Sequence, residues 1–287
     1  MASKWLLLSL LFLALTGCQA LDRFFVASTP TTAPTQAPTF PAVVLPSATL
    51  PPAPTAAPLP SSTAQPPTPK PTDLPALVLS SKTITETSAK PAYTLKLNYP
   101  VIAGLIDARF TAFNQEAEKL AHDTAASFRK DFSGIPADPN FGPSFAEMTY
   151  TVTNGTHGLL SILFTVSFYA SGAAHPNMYY QSLTYDLIHS KKLALGDLFK
   201  VNTPYLQTIA DYCAADLKTR GRLESPEGAK ATPENYQSWN VTPQGLVISF
   251  DPYQVGPYAM GPSTVAVPFS ALKSLVNPAG PLAPLLP

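Results

Sequence analysis

The sequence is short of charge, of cysteine and of any local catalytic signature. Only 13% of its 287 residues are charged, and 18 basic residues balance 18 acidic ones. A nucleic-acid binder carries a basic surplus to neutralise phosphates, so that class is excluded. Steering toward an anionic membrane surface lacks a charge basis for the same reason. Of the two cysteines, Cys18 and Cys213, neither has a local partner, which excludes a disulfide-framed scaffold. The four histidines, His122, His157, His175 and His189, form no HExxH or HxH pattern, so no local zinc signature exists. Neither a GxSxG elbow nor a Gly-rich phosphate loop occurs. We therefore expect no catalytic residues, no metal and no cofactor.

Proline, by contrast, is abundant: 33 residues, concentrated before position 76. The chain opens with Lys4 and an apolar run from Trp5 to Leu15. A membrane-spanning helix needs about 20 apolar residues, so this shorter run reads as the core of a signal peptide. It ends in Leu15-Thr16-Gly17-Cys18, which resembles a lipobox. The resemblance implies cleavage after residue 17 and diacylglyceryl or palmitate attachment at Cys18. At about 0.8 kcal/mol per buried methylene, two or three acyl chains hold a protein almost permanently. Residues 18–76 then read as a lipidated cysteine followed by a Pro/Thr-rich disordered tether. So few apolar groups cannot offset the entropy of ordering. In polyproline II form, at about 3.1 Å per residue, its Pro-rich stretch over residues 28–75 reaches roughly 150 Å.

Residues 77–287 read as the folded domain, with a strand-strand-helix part at 77–133 and a second part at 146–278. Alternating and β-branched residues predict strands at 77–88 and 93–99. Ile106, Phe110, Phe113, Ala117, Leu120, Thr124 and Phe128 recur at steps of three and four, predicting a helix over 103–132. Leu160, Ile162, Phe164, Val166 and Phe168 alternate with residues such as Ser161 and Thr165, as do residues 179–187 after them. They predict an antiparallel hairpin with one core face and one wetter face. A second helix is expected from Thr203-Pro204 to Gly221, with Thr203 as its cap and Cys213 in its apolar stripe. Residues 221–234 are polar and breaker-rich and read as a mobile loop. Strands follow at 237–241, 245–250 and 264–267, then a short helix at 268–276. The expected class is α+β: a mainly antiparallel sheet packed against two principal helices.

Two segments stand out as ligand-binding candidates. His175, Pro176 and Asn177 lie between the two best-defined strands, where Pro176 biases His175 toward extended backbone. Tyr253 and Tyr258 lie in a Gly/Pro-punctuated segment, and amphipathic tyrosines on a rigid loop suit carbohydrate or protein contact. The structural alternatives are that His175 holds the hairpin end by a hydrogen bond to a neighbouring loop and that the tyrosines pack their loop onto the domain.

At these segments the sequence resembles a known family. Gly172 to Pro176, Tyr185-Asp186-Leu187, Leu193 to Phe199, Gly245 to Phe250, Tyr253 and Gly256 to Gly261 are similar to the extracytoplasmic domain of the anti-sigma factor RsiV. The same domain stands on the N-terminal side of PdaC-type polysaccharide deacetylases. The resemblance spans residues 80–278. It implies an extracytoplasmic recognition domain, binding a lysozyme-like protein in the RsiV case. In PdaC-type enzymes the chemistry resides in a separate catalytic domain. The expected partners are thus a bacterial membrane, through Cys18, and a lysozyme-like protein or peptidoglycan. The competing expectations are a cell-wall polysaccharide hydrolase or deacetylase-like enzyme using His175, and a purely structural envelope protein.

Overall fold

The computed structural model describes residue 74 and residues 77–286, except 105, 106, 133, 137 and 139. The signal peptide, Cys18 and the Pro/Thr-rich tether lie outside the described residues. Among the described residues, no helix is long and apolar enough to cross a membrane.

The domain begins with a long hairpin, β1 (Leu79–Ala89) and β2 (Ala92–Ile102), paired antiparallel along its whole length. Helix α1 (Ala108–Phe132) then carries the chain back along the sheet. Its 25 residues span about 37 Å at 1.5 Å per residue, close to the length of an 11-residue strand. The return places β3 (Ser144–Thr156) parallel to β2, the one parallel pairing in the sheet. Strands β4 (Leu159–Tyr169), β5 (Asn177–Asp186) and the short β6 (Lys191–Lys192) follow as an antiparallel meander, giving the order β1-β2-β3-β4-β5-β6.

Helix α1 starts at 108 rather than 103 for a local reason. Ala103 still donates its N–H to Val78, and Asp107 Oδ1 accepts the Arg109 N–H at 2.8 Å, as an N-capping carboxylate does. Asn114 then clamps the end of β2, accepting the Ile102 N–H at 2.7 Å and donating to the Ile102 carbonyl at 3.0 Å. The buried face of α1 is Phe110, Phe113, Ala117, Ala121, Thr124, Ala125 and Phe128. Leu120, expected within this stripe, is at its edge and half-buried, while Ile106 lies outside the described residues. This face packs on Leu95, Leu97, Met148, Ile162, Phe164 and Leu183 of the sheet, the first of two cores.

The second core is built by helix α2 (Tyr205–Thr219) and a three-stranded antiparallel sheet of β7 (Trp239–Thr242), β8 (Gly245–Phe250) and β9 (Ser263–Pro268). Ile209, Ala210, Cys213 and Leu217 form the inward stripe of α2 against Val241, Ile248 and Val267. Thr203 does not cap this helix: its hydroxyl donates to the Lys200 carbonyl at 2.8 Å, and Pro204 takes the capping position without a side-chain bond. The short helix α3 (Phe269–Leu272) closes the same core with Phe269 and Leu272. The described residues are thus α+β, a mixed six-stranded sheet with a long helix beside a three-stranded sheet with its own.

The two sheets are joined by polar groups. Strand β7 lies over β3, β4 and β5. There Ser161 Oγ accepts from Asn240 Nδ2 and from the Val241 N–H, each at 3.0 Å, and lies 2.8 Å from Thr184 Oγ1. Ser182 Oγ donates to Asn240 Oδ1 at 2.9 Å. Ser161, Asn240 and Thr184 are all buried. Ser161 therefore does not face water as strand alternation predicts; the second sheet covers that face.

Candidate functional site

Two loops, far apart in sequence, meet at one surface. The first is the β4–β5 connection. Ser171 is buried there, its hydroxyl donating to the Gly142 carbonyl at 2.7 Å while its N–H donates to Ser144 Oγ at 3.0 Å. Gly172 turns the chain at φ +84°, a conformation that favours glycine. Beyond this anchor His175 and Pro176 stand exposed.

The second loop, residues 251–262, leaves β8 and is held at both ends. Asp251 Oδ1 accepts the Tyr180 N–H at 2.8 Å, tying the loop to β5. Burial pushes the Asp251 carboxyl above its ordinary range, against the opposing effect of that N–H. Gln254 Nε2 donates to the carbonyls of Gly228 and Asn235, both at 3.0 Å. Gly228 is required there, because a Cβ would lie 1.7 Å from the Gln254 carbonyl oxygen. The N–H groups of Glu224 and Ser225 both reach the Val255 carbonyl at 2.9 Å. At the far end Arg222 donates to the carbonyls of Met260 and Pro262 and, at 2.8 Å, to Ser263 Oγ. Residues 221–234, expected to be a mobile loop, thus contain the clamp on the tyrosine segment and form two short 3₁₀ turns, Pro226–Ala229 and Pro233–Tyr236.

The clamped loop presents Tyr253 and Tyr258. The Tyr258 ring stacks on His175 with centroids 3.9 Å apart and planes 20° apart. Its hydroxyl donates to the Pro176 carbonyl at 2.7 Å. His175 Nδ1 lies 2.8 Å from the same carbonyl and donates to it, so both lone pairs of that oxygen are used. Tyr253 sits 5.4 Å from Tyr258, 56% exposed, with its backbone at φ +70°. A non-glycine residue in that region is a strained placement of the kind found at functional sites. The structure therefore brings His175, Pro176, Tyr253 and Tyr258 together. Asn177 follows at the start of β5, half-buried, with its Oδ1 accepting the N–H of Met178 at 2.8 Å.

Pro176 also borders an open groove of about 490 Å³ lined by Thr94, Phe141, Pro143, Phe145, Glu147 and Tyr169. Phe145 and Tyr169 stack across β3 and β4 at 5.8 Å, and Phe141 is 57% exposed. These aromatics escape a sequence reading that does not identify β3, since only that strand sets Phe145 opposite Tyr169. The other histidines stand apart: His122 is exposed, His157 occupies a turn at φ +54°, and His189 Nδ1 bonds Asp186 at 2.7 Å. Among the described residues no group of three or more His, Cys, Asp or Glu side chains is placed to hold a metal ion.

Residues 86–178 match the family model "Deacetylase PdaC", and residues 196–270 match "Protein of unknown function (DUF3298)". Together the two matches support a PdaC-associated domain of unknown function, of extracytoplasmic domain families. His175 and Pro176 fall in the first match, Tyr253 and Tyr258 in the second.

The immunogenic protein MPT64 of Mycobacterium tuberculosis is 25% identical over 146 residues, covering 50% of this chain and 64% of MPT64. The peptidoglycan-N-acetylmuramic acid deacetylase PdaC of Bacillus subtilis is 22% identical over 190 residues, covering 64% of this chain and 39% of PdaC. The chain thus spans less than two thirds of the length of either relative. A DUF3298 family protein from Pseudomonas aeruginosa PAO1 shares the fold, with a TM-score of 0.51 and 15% identity over 75% of this chain and 97% of that one.

Proposed function

We propose that this chain is a lipoprotein of the bacterial cell envelope, held at the membrane through Cys18, whose domain is a non-catalytic recognition module for cell-wall glycan. The observation that supports it is the His175–Tyr258–Tyr253 cluster, with His175 and Tyr253 exposed and Tyr258 half-buried, assembled from two clamped loops. Rings of this kind offer apolar faces to sugar rings and polar tips to their hydroxyls. This reading uses His175 as a contact, its ring fixed by the bond from Nδ1 to the Pro176 carbonyl and by stacking on Tyr258. A relative named for action on peptidoglycan is consistent with a wall ligand. The aromatic groove beyond Pro176 supports a second occupant, a lysozyme-like protein, because it extends the surface past the width of one sugar.

Calorimetry with soluble peptidoglycan fragments and with lysozyme tests the reading. Binding that weakens about tenfold or more in Tyr258→Ala supports it, as loss of a buried aromatic anchor predicts. No binding to either would sink it. The anchor is tested separately: Cys18→Ala should move the folded chain from the membrane fraction to the soluble one, and retention in the membrane would reject lipid attachment.

A further inference from the structure

A second concavity, away from the aromatic cluster, lies between α1 and the segment that enters β7. It has a volume of about 360 Å³ and is lined mainly by polar side chains, with Leu120 among them. Helix α1 contributes Glu116, Lys119 and Asp123 to one wall, and Lys192 of β6 faces Glu116. The floor is made by Tyr180, Gln181 and Ser182 of β5 together with Gln237 and Ser238.

Most of these groups keep hydrogen-bonding capacity. Lys119 is paired with Asp123, but Lys192 and Glu116 are 3.7 Å apart, too long for a hydrogen bond. Ser182 and Ser238 spend their hydroxyl protons on Asn240 Oδ1 and the Tyr180 carbonyl, leaving lone pairs toward the cleft. Gln181 Oε1 accepts from Thr124, while among the described residues its amide nitrogen and the whole Gln237 amide have no protein partner. The cleft therefore combines a loosely held pair of opposite charges with neutral donors and acceptors beside it.

We propose that this cleft binds the zwitterionic head of an amino acid, an ammonium and a carboxylate carried on one carbon. Lys192 takes the carboxylate and Glu116 the ammonium, so that two adjacent opposite charges meet their complement. Gln181 and Gln237 flank the head and hydrogen-bond a neighbouring amide. Purely neutral ligands leave the charged pair unused, and singly charged ligands leave one member facing a like or absent charge. The head has two sources, a free amino acid or the side-chain end of a diamino acid within a wall peptide. This inference is independent of the aromatic surface.

The test titrates the isotope-labelled full chain with three probes: free meso-diaminopimelate, a tripeptide ending in meso-diaminopimelate, and that tripeptide with its side-chain amine acetylated. The amide resonances of Gln181, Gln237 and Ser238 should move with the first two probes. Tighter binding of the peptide identifies the wall source, and equal or tighter binding of the free amino acid identifies the metabolite source. Acetylation, Glu116→Gln and Lys192→Met should each weaken binding about tenfold or more, the scale of one charged hydrogen bond. Tyr258→Ala should leave it unchanged, which separates this site from the glycan surface. Both substituted side chains are more than one-third exposed, so circular dichroism should show intact folds. Undiminished binding of the acetylated peptide, or no shift at any of the three amides with millimolar probe, overturns the proposal.

Discussion

Replacing Ser161 with alanine should be among the most damaging small substitutions in the domain. The hydroxyl oxygen is the acceptor for two buried donors, Asn240 Nδ2 and the Val241 N–H, and it contacts Thr184 Oγ1. Alanine fills nearly the same volume, so the cost comes from stranding those donors rather than from a cavity. Each stranded buried donor costs about 1–3 kcal/mol, which puts the loss at about 2–6 kcal/mol. That is a large share of the roughly 5–15 kcal/mol that holds a typical domain. Urea unfolding followed through Trp239, which begins β7 beside this junction, should show the midpoint falling by about 1 M with an unchanged slope. Thr165→Ala, on the same strand face but away from the junction, should lose less than about 1 kcal/mol. A Ser161→Ala loss below about 1 kcal/mol would refute the argument, because it would mean the junction readily rearranges or admits water.

Three other outcomes follow from the same geometry. Asp251 has a folded-state pKa raised by burial, so its contribution is fully present below the unfolded value of about 3.9 and is lost as pH rises through the folded value. Asp251→Asn keeps an oxygen for the Tyr180 N–H, so it should be the more stable form at pH 7, with the gain vanishing below about pH 4; a pH-independent loss in thermal melts would contradict this. Cys213 is buried and its thiol is pushed up to about 12, so a thiol reagent at pH 8 should leave the native protein unmodified and react on unfolding; rapid native reaction would show the second core to be open. Arg222→Met should release the carbonyls of Met260 and Pro262, speeding amide exchange through residues 258–263 while the β4–β5 hairpin stays protected; uniform acceleration would mean the clamp stabilises the whole domain instead.

The sequence carried some of this and hid the rest for definite reasons. The stripe of α1 and the alternation of β4 are side-chain periodicities, and both appear in place with small shifts at their ends. Strand β3 was not legible, because Glu147, Thr149 and Thr151 alternate with residues as unlike as Ala146 and Met148, and Asn154-Gly155 reads as a turn. Ser161 was placed on the wet face because alternation within a hairpin says nothing of a second sheet laid over it. The order of residues 221–234 comes from backbone groups bonding a loop near residue 255, and composition does not record those bonds. For the surface, His175, Tyr253 and Tyr258 were identifiable as unusual residues. Their meeting was not, since 82 positions separate Pro176 from Tyr258.

The carbonyl of Pro176 receives Tyr258 from one segment and His175 from another, and this makes the surface behave as a coincidence detector for intact protein. A fragment ending near residue 190 would keep the histidine, and one starting there would keep both tyrosines, yet neither would present the stacked pair. On the proposed reading, separating the two segments would abolish ligand binding outright instead of leaving a half-active remnant that occupies ligand. Fusing the two segments to the halves of a split reporter would convert the same property into a readout of domain integrity.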